Sequence, residues 1–416
     1  MFANRYVRTI VMSSFLLQLG IWVRNFAILL YVTDITNDDP LYVSLISVAG
    51  FAPIFLFAII GGTFADRWKP KRTMVASDFL SAASIFVVML VVAYGSWKAL
   101  FFATLVSAIM SQFSQPSVMK LFKQHVPEEQ LQGVMAMFQS MMAFFMVIGP
   151  IIGAFVYTHF GIEVSLGVMG AMFIASGLVL TSLPKDLEEK NAKQRQSFKQ
   201  DLKDGFRYVF KNRELRTLGG TFLVSGLAVG LIQPLMIFIT MENLGQDKTY
   251  LQWLLTANGA AMLVGGAVMM SFAKKVQPQF LLMVGLLAST LGTFVIGWST
   301  SIMLTLLFQI INGFCYPMIH IGMNTMILKN TSAELIGRVG GVLTPMFMGM
   351  MVIGMSLGGA WKEVSSLMFV FSVAAILFFV GALLTSMLLH KKSHVLVGVD
   401  GSQMVEMDGV RYDQKG

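Results

Sequence analysis

Four ionisable residues stand inside long apolar runs, where a charge costs free energy and by default marks function. They are Arg24, Asp34, Asp78 and His320. A carboxylate or imidazole in such a place can take up and release a proton, whereas an arginine there needs an acceptor. Each also has a plainer reading. Asp34, with Asp38 and Asp39 close by, reads equally as a solvated residue at the membrane boundary. Asp78 reads as a structural partner of nearby arginines, and His320 as a neutral, hydrogen-bonded core histidine. Arg24, beside Asn25 and just past the middle of the first run, is too deep to reach water easily and is expected to line a central cavity. At ~1.5 Å per residue, Asp34 lies about 15 Å further along the same helix. Gln112, Gln115, Gln139, Asn258, Gln309 and Asn312 add polar handles within other runs.

Enzymatic chemistry finds no matching set. His125, His159, His320, His390 and His394 are scattered over loops and distant runs. No Ser/His/Asp arrangement, metal-ligand spacing or phosphate-cradling glycine loop is visible, so no cofactor and no catalysis are expected. Cys315 is the only cysteine, which excludes an intrachain disulfide and a thiol-based metal cluster.

The elements that must position these groups follow from composition. The 416 residues are 56% hydrophobic and 12% charged, with mean hydropathy +0.71, whereas soluble domains carry about 25% charged residues. Runs of about 20 apolar residues read as membrane-spanning helices. They fall near 9–33, 42–65, 74–94, 99–119, 132–157 and 164–183, then 216–241, 250–273, 278–297, 301–327, 340–360 and 366–389. The first is too long for a signal peptide and lacks a small-residue cleavage site. The spacing predicts an all-α integral membrane protein with twelve spans. A six-helix unit covers 1–184, a polar linker 185–215, a second six-helix unit 216–390 and a polar tail 391–416. Within the linker, Phe198, Leu202, Phe206, Tyr208, Val209 and Phe210 are interleaved with Lys and Asp. That pattern suits either an amphipathic helix on the bilayer surface or a solvated tether.

Charge sets the expected orientation. Of 30 lysines and arginines, 26 fall on one side of this map and only Lys98, Lys248 and Lys362 on the other, with Arg24 inside a span. The basic side is the cytoplasmic one, which puts both termini in the cytoplasm. The formal charge of +8 is therefore topological, and nucleic-acid binding has no support.

The two units also resemble each other. "GGTFADRWKPKR" from Gly61 aligns with "GGAVMMSFAKKV" from Gly265, and "LQGV" from Leu131 with "LIGR" from Leu335, both at an offset of 204. "MVIGPIIGA" from Met146 aligns with "MVIGMSLGGA" from Met351 at an offset of 205. Paired repeats of this kind are the plan of transporters with a site between the units.

The stretch Gly62-x-x-x-Asp66-Arg67, with basic residues through Arg72, serves as a positive-inside anchor on the plain reading. It also resembles the cytoplasmic loop signature of the major facilitator superfamily, in which the aspartate and arginine latch the two units together. Lys69 and Pro70 depart from the general pattern, and "DRW" followed by a basic run is similar to the subgroup of macrolide- and siderophore-type exporters. The second copy has Met270 in place of Asp66, so the latch is one-sided. Gly149-Pro150-x-x-Gly153 in the fifth span is a proline-kinked helix. It resembles the motif of drug/proton antiporters, although Phe145 stands for an earlier glycine and Ala154 for a later one.

The resemblance implies the major facilitator fold and a proton-coupled exporter of amphiphilic, drug-like compounds working by alternating access. Asp34 or Asp78, or His320, would carry the proton; Gly62, Asp66, Arg67 and Arg72 would form the latch. The expected partners are a small-molecule substrate, protons and lipid, with the chain acting as a monomer in a bacterial plasma membrane. The alternatives are a dedicated exporter of one metabolite, such as a siderophore or peptide antibiotic, and a non-transporting receptor on the same scaffold. A channel would require a polar selectivity ring, and repeats with a latch fit alternation better.

Overall fold

A computed structural model describes residues 4–57, 69–184, 203–272, 275–332 and 335–389, together with the backbone of 58–65 and 198–202. Among the described residues the regular structure is helical throughout. This follows from the solvent, because a backbone in hydrocarbon must satisfy its own hydrogen bonds. The first unit contains α1 (Arg5–Ile35), α2 (Pro40–Ala65), α3 (Pro70–Ala93), α4 (Ala99–His125) and α5 (Glu128–Thr181). α6 (Phe198–Lys211) lies in the linker. The second unit opens with α7 (Arg213–Ile232), which continues through the short turn α8 (Met236–Phe238) and a wide turn over Ile239–Asn243. It closes with α9 (Leu251–Phe272), α10 (Pro278–Trp298), α11 (Ile302–Lys329), α12 (Ile336–Val364) and α13 (Leu367–Ser386).

Ten helical stretches are long and apolar enough to cross a membrane. α4 has the length but is not among them, since Ser107, Ser111, Gln112, Ser114 and Gln115 dilute its apolar character. α5 is two helical arms that meet directly at a kink, in keeping with the two spans expected near 132–157 and 164–183. It changes direction at Gly161, whose φ of 75° and ψ of −174° are open to glycine alone. Counting its two arms separately and adding α4 gives twelve helical arms. Of the linker, α6 docks on the second unit: Val209 is buried, and Gly205 lies against the backbone of Arg338. Of the signature, Asp66 and Arg67 lie outside the described residues, as do the side-chain surroundings of Gly62 and the tail from His390 onward.

Caps mark the ends. Asn4 accepts from the amide of Tyr6 at 2.9 Å, Asp39 from Leu41 at 2.8 Å and Asn212 from Glu214 at 2.9 Å. Lys71 donates to the carbonyls of Thr181 (2.8 Å) and Leu183, closing the end of α5 with a cation. Asp39 is therefore a helix cap as well as a boundary residue.

Inside each unit the helices meet at glycines, as expected where lipid provides no hydrophobic drive and close packing must hold them together. Gly149 faces the indole of Trp22 on α1, and a Cβ on Gly153 would lie 2.6 Å from Phe26 Cβ. Gly226 and Gly230 on α7 abut the backbone of α12 at Phe347 and Met351, and Gly313 on α11 abuts α9 at Asn258.

Replacing Gly153 by valine is expected to lower the melting temperature of the detergent-purified protein, because overpacking of this kind costs about 1–3 kcal/mol. Gly167→Ala, where nothing lies within 4 Å, should leave melting unchanged or raise it. Equal melting of the two variants would refute glycine-mediated packing of α1 on α5.

Candidate functional site

The helix ends define two faces of the molecule. The near end holds the start of α1, the start of α3 and the end of α13. The far end holds the end of α1, the bend at Gly161 and the start of α9.

Contacts between the two units gather toward the far end. Lys248, just before α9, forms an ion pair with Asp34 Oδ1, and Tyr157 Oη donates to Asp34 Oδ2 at 2.8 Å. Below that pair, the Thr256 hydroxyl donates to the Val147 carbonyl at 2.9 Å. Gly359 on α12 lies against Ser44 and Pro40 on α2, and Gly349 lies against Phe55. Phe55 is 15 residues from the start of α2, about 22 Å at ~1.5 Å per residue. Toward the near end, Gly337, Gly340 and Gly341 at the start of the same α12 have open space where a side chain would be. Among the described residues the units are thus joined at the far end and parted at the near end.

Asp78 occupies a different place, inside the first unit. It is 2% exposed and accepts from Ser176 on α5 at 2.6 Å; Ser176 in turn bonds Ser13 on α1 at 2.8 Å. It lines a cavity of about 60 Å³ bounded by α1, α3, α4 and α5, with Ser14, Gln18, Ser77, Ser81, Ser107, Ser111, Ser114 and Gln115 on the walls. No lysine, arginine or histidine lines it. Structural pairing of Asp78 with an arginine is therefore not what the fold provides; a serine chain holds the carboxylate instead.

The serines were not singled out in the sequence, though their spacing carried the signal. Ser107, Ser111 and Ser114 fall three and four apart and so share one face of α4, as Ser77 and Ser81 do on α3. Three such helices must converge before that spacing has chemical meaning.

Arg24 is buried at 6% exposure, whereas Asn25 is exposed. The Arg24 guanidinium donates through Nε (3.0 Å) and Nη2 (2.8 Å) to Asn25 Oδ1, while Nη1 is buried without a partner. Asn258 and Gln309 are tied together across α9 and α11, the Asn258 amide donating to the Gln309 carbonyl at 3.0 Å. Asn312 fills the space beside Gly292 on α10. Gln112 and Gln115 lie on α4, and Gln115 and Gln139 are exposed. His320 is exposed and packs beside Tyr316, ring centroids 4.7 Å apart. Both lie on the side of α11 that carries Gln309, away from the exposed apolar stripe Met303, Leu307 and Ile310. Arg72 is exposed at the near end, and Gly149, Pro150 and Gly153 are buried against α1.

A family model described as Major Facilitator Superfamily matches residues 10–232 and again 218–404. The chain belongs to the Major Facilitator Superfamily. A member from Bacillus subtilis, the MFS-type transporter YkuC, is 27% identical over 360 residues, covering 83% of each chain. The multidrug efflux pump Tap of Mycobacterium tuberculosis is 23% identical over 335 residues, covering 78% of this chain and 79% of Tap. Macrolide efflux protein A of Streptococcus pyogenes is 22% identical over 255 residues, covering 59% and 62%. Among solved structures, a mutant of the nucleoside transporter NupG superposes with a TM-score of 0.78 at 13% identity, over 93% of this chain and all of that one. Family and fold are those of membrane transporters of small molecules, and the protein is a multi-pass protein of the cell membrane.

The Asp34–Lys248 pair is half open to water, with the Asp34 side chain 48% exposed, so its removal should cost no more than about 1 kcal/mol of stability. Its effect should appear in access instead. With Cys315→Ser as background, Thr256→Cys is expected to react several-fold faster with an impermeant maleimide once Lys248→Glu is added. Unchanged labelling would mean that the pair does not hold the far end shut.

Proposed function

We propose that this transporter is an ion-coupled exporter of amphiphilic compounds that works by alternating access, with the proton carried by Asp78. The observation that carries the reading is the asymmetry between the two ends, joined at one and parted at the other, with a buried carboxylate between them. On this reading the twelve arms cross the bilayer as two six-helix domains, 1–184 and 216–390. The linker 185–215 and tail 391–416, like both termini, lie in the cytoplasm. The near end is then the cytoplasmic one, and the conformation faces inward, ready to receive cargo from the cell. The chain works as a monomer.

Asp34 takes a different role from the one its sequence suggested. Ion-paired to Lys248 and hydrogen-bonded to Tyr157, it closes the outer gate, and its proton would have to compete with a lysine. Asp78 has no such competitor. A buried carboxylate in a serine-lined cavity changes its proton occupancy when its access to water changes. His320, on the exposed face of α11 beside Tyr316, is a second proton acceptor. Asn25, Gln139 and His320 serve as polar handles for cargo. The apolar remainder, rich in Met and Phe, adapts to varied molecules. Gly62, Asp66, Arg67 and Arg72 form the inner latch that closes in the opposite state. α6, with Phe206 and Phe210 exposed between Lys203, Arg207 and Lys211, holds the linker on the bilayer. Efflux rather than uptake is supported by the macrolide and multidrug efflux relatives.

One observation favours a second reading, a dedicated exporter of an anionic metabolite: the partnerless Nη1 of Arg24, which an anion could satisfy.

Inside-out vesicles given a pH gradient should accumulate a fluorescent lipophilic cation. Asp78→Asn should abolish the gradient-driven part, while Asp34→Asn should slow transport but leave it responsive to the gradient. Loss of gradient dependence in Asp34→Asn alone would move the proton to Asp34. Silence with several unrelated dyes would favour the dedicated exporter.

A further inference from the structure

Serine and threonine hydroxyls in apolar helices have a local solution, a bond back to the carbonyl one turn earlier. Much of this protein uses it. Thr33 bonds Leu29, Thr104 bonds Leu100, Ser117 bonds Phe113 and Ser165 bonds Gly161, at 2.7–3.0 Å. The serines around Asp78 divide sharply. Ser111 makes such a local bond, to Ala108 at 2.7 Å. Ser14, Ser77, Ser81, Ser107 and Ser114 make none among the described residues, although all are more than nine-tenths buried and all line the cavity. Five hydroxyls on three helices leave the backbone alone and line the same cavity as one carboxylate.

We propose that this cavity is a binding site for one sodium ion, with Asp78 as the charged ligand and these serine hydroxyls as neutral ones. Hard cations take oxygen ligands, carboxylate and neutral oxygen together. Charge selects the valence, because a single carboxylate with no other acid on the walls neutralises one positive charge. A divalent ion would leave an uncompensated charge in a low-dielectric interior. Size permits it: the cavity of about 60 Å³ has room for a small ion together with water. A proton alone would account for the carboxylate but not for the five hydroxyls, since a protonated Asp78 needs a single acceptor. Ser176, held by Ser13, fixes one carboxylate oxygen and leaves the other for the ion. Asp78 is the one titratable group lining the cavity, so proton and sodium compete there.

The inference deepens the reading of Asp78 as the coupling residue, and its test is binding rather than transport, so the two can fail separately. Radioactive sodium is equilibrated with the purified full-length chain in detergent, at alkaline and at mildly acidic pH, with excess potassium present. Saturable binding at about one ion per chain is expected, weaker in acid. It should be lost in Asp78→Asn and weakened about tenfold, ~1.4 kcal/mol, in Ser107→Ala, with the melting temperature of each variant confirming a folded protein. Absence of saturable sodium binding to the wild type would overturn the site, even if dye transport still follows the pH gradient. So would binding that survives unchanged in a folded Ser107→Ala, or that potassium abolishes.

Discussion

Hydrocarbon supplies no hydrogen bonds, and most of the described polar groups in this protein are arranged around that lack. The backbone answers by being helical. The helices, with little hydrophobic drive between them, answer by close approach at glycine: Gly149 and Gly153 bring α5 onto α1, and Gly226 and Gly230 bring α7 onto α12. Side-chain hydroxyls mostly answer by bonding their own helix. Where they do not, as around Asp78, the departure has a local cause, and the cavity exists because several small side chains face one another there.

The same scarcity explains why the two kinds of interface differ. Within a unit, glycine-to-backbone contacts repeat along much of the length of a helix pair. Between units, the described contacts gather toward one end and include an ion pair, a hydroxyl-to-carbonyl bond, and glycine contacts of α12 on α2 and of α9 on α5. An interface of that kind can be broken without unfolding either unit, as the proposed alternating access requires. In the Asp34–Lys248 pair the carboxylate is half exposed, so the pair costs little to open.

Some residues changed meaning once packed. Pro150 and its glycines read as a kink; in the fold the glycines also create room for Trp22 and Phe26. Arg24 and Asn25 are neighbours in sequence with opposite fates, one buried and the other exposed, because successive helix positions point about 100° apart. Asn258 and Gln309 looked like two separate polar handles and are one bond between α9 and α11.

The amino-acid sequence by itself determined the all-helical class, the family and nearly every helix position, because membrane length and charge asymmetry are written locally. It also marked Asp78 as costly. It did not reveal how tightly the two arms of α5 join, since a single glycine at φ 75° makes the turn with no compositional warning. Tertiary structure alone decided which carboxylate meets a lysine. Asp34 and Lys248 lie far apart in the chain and join only when two units pack, whereas Asp78 is turned toward serines from three other helices. Helical periodicity fixes the face on which a side chain stands; what waits opposite that face depends on how the helices cross.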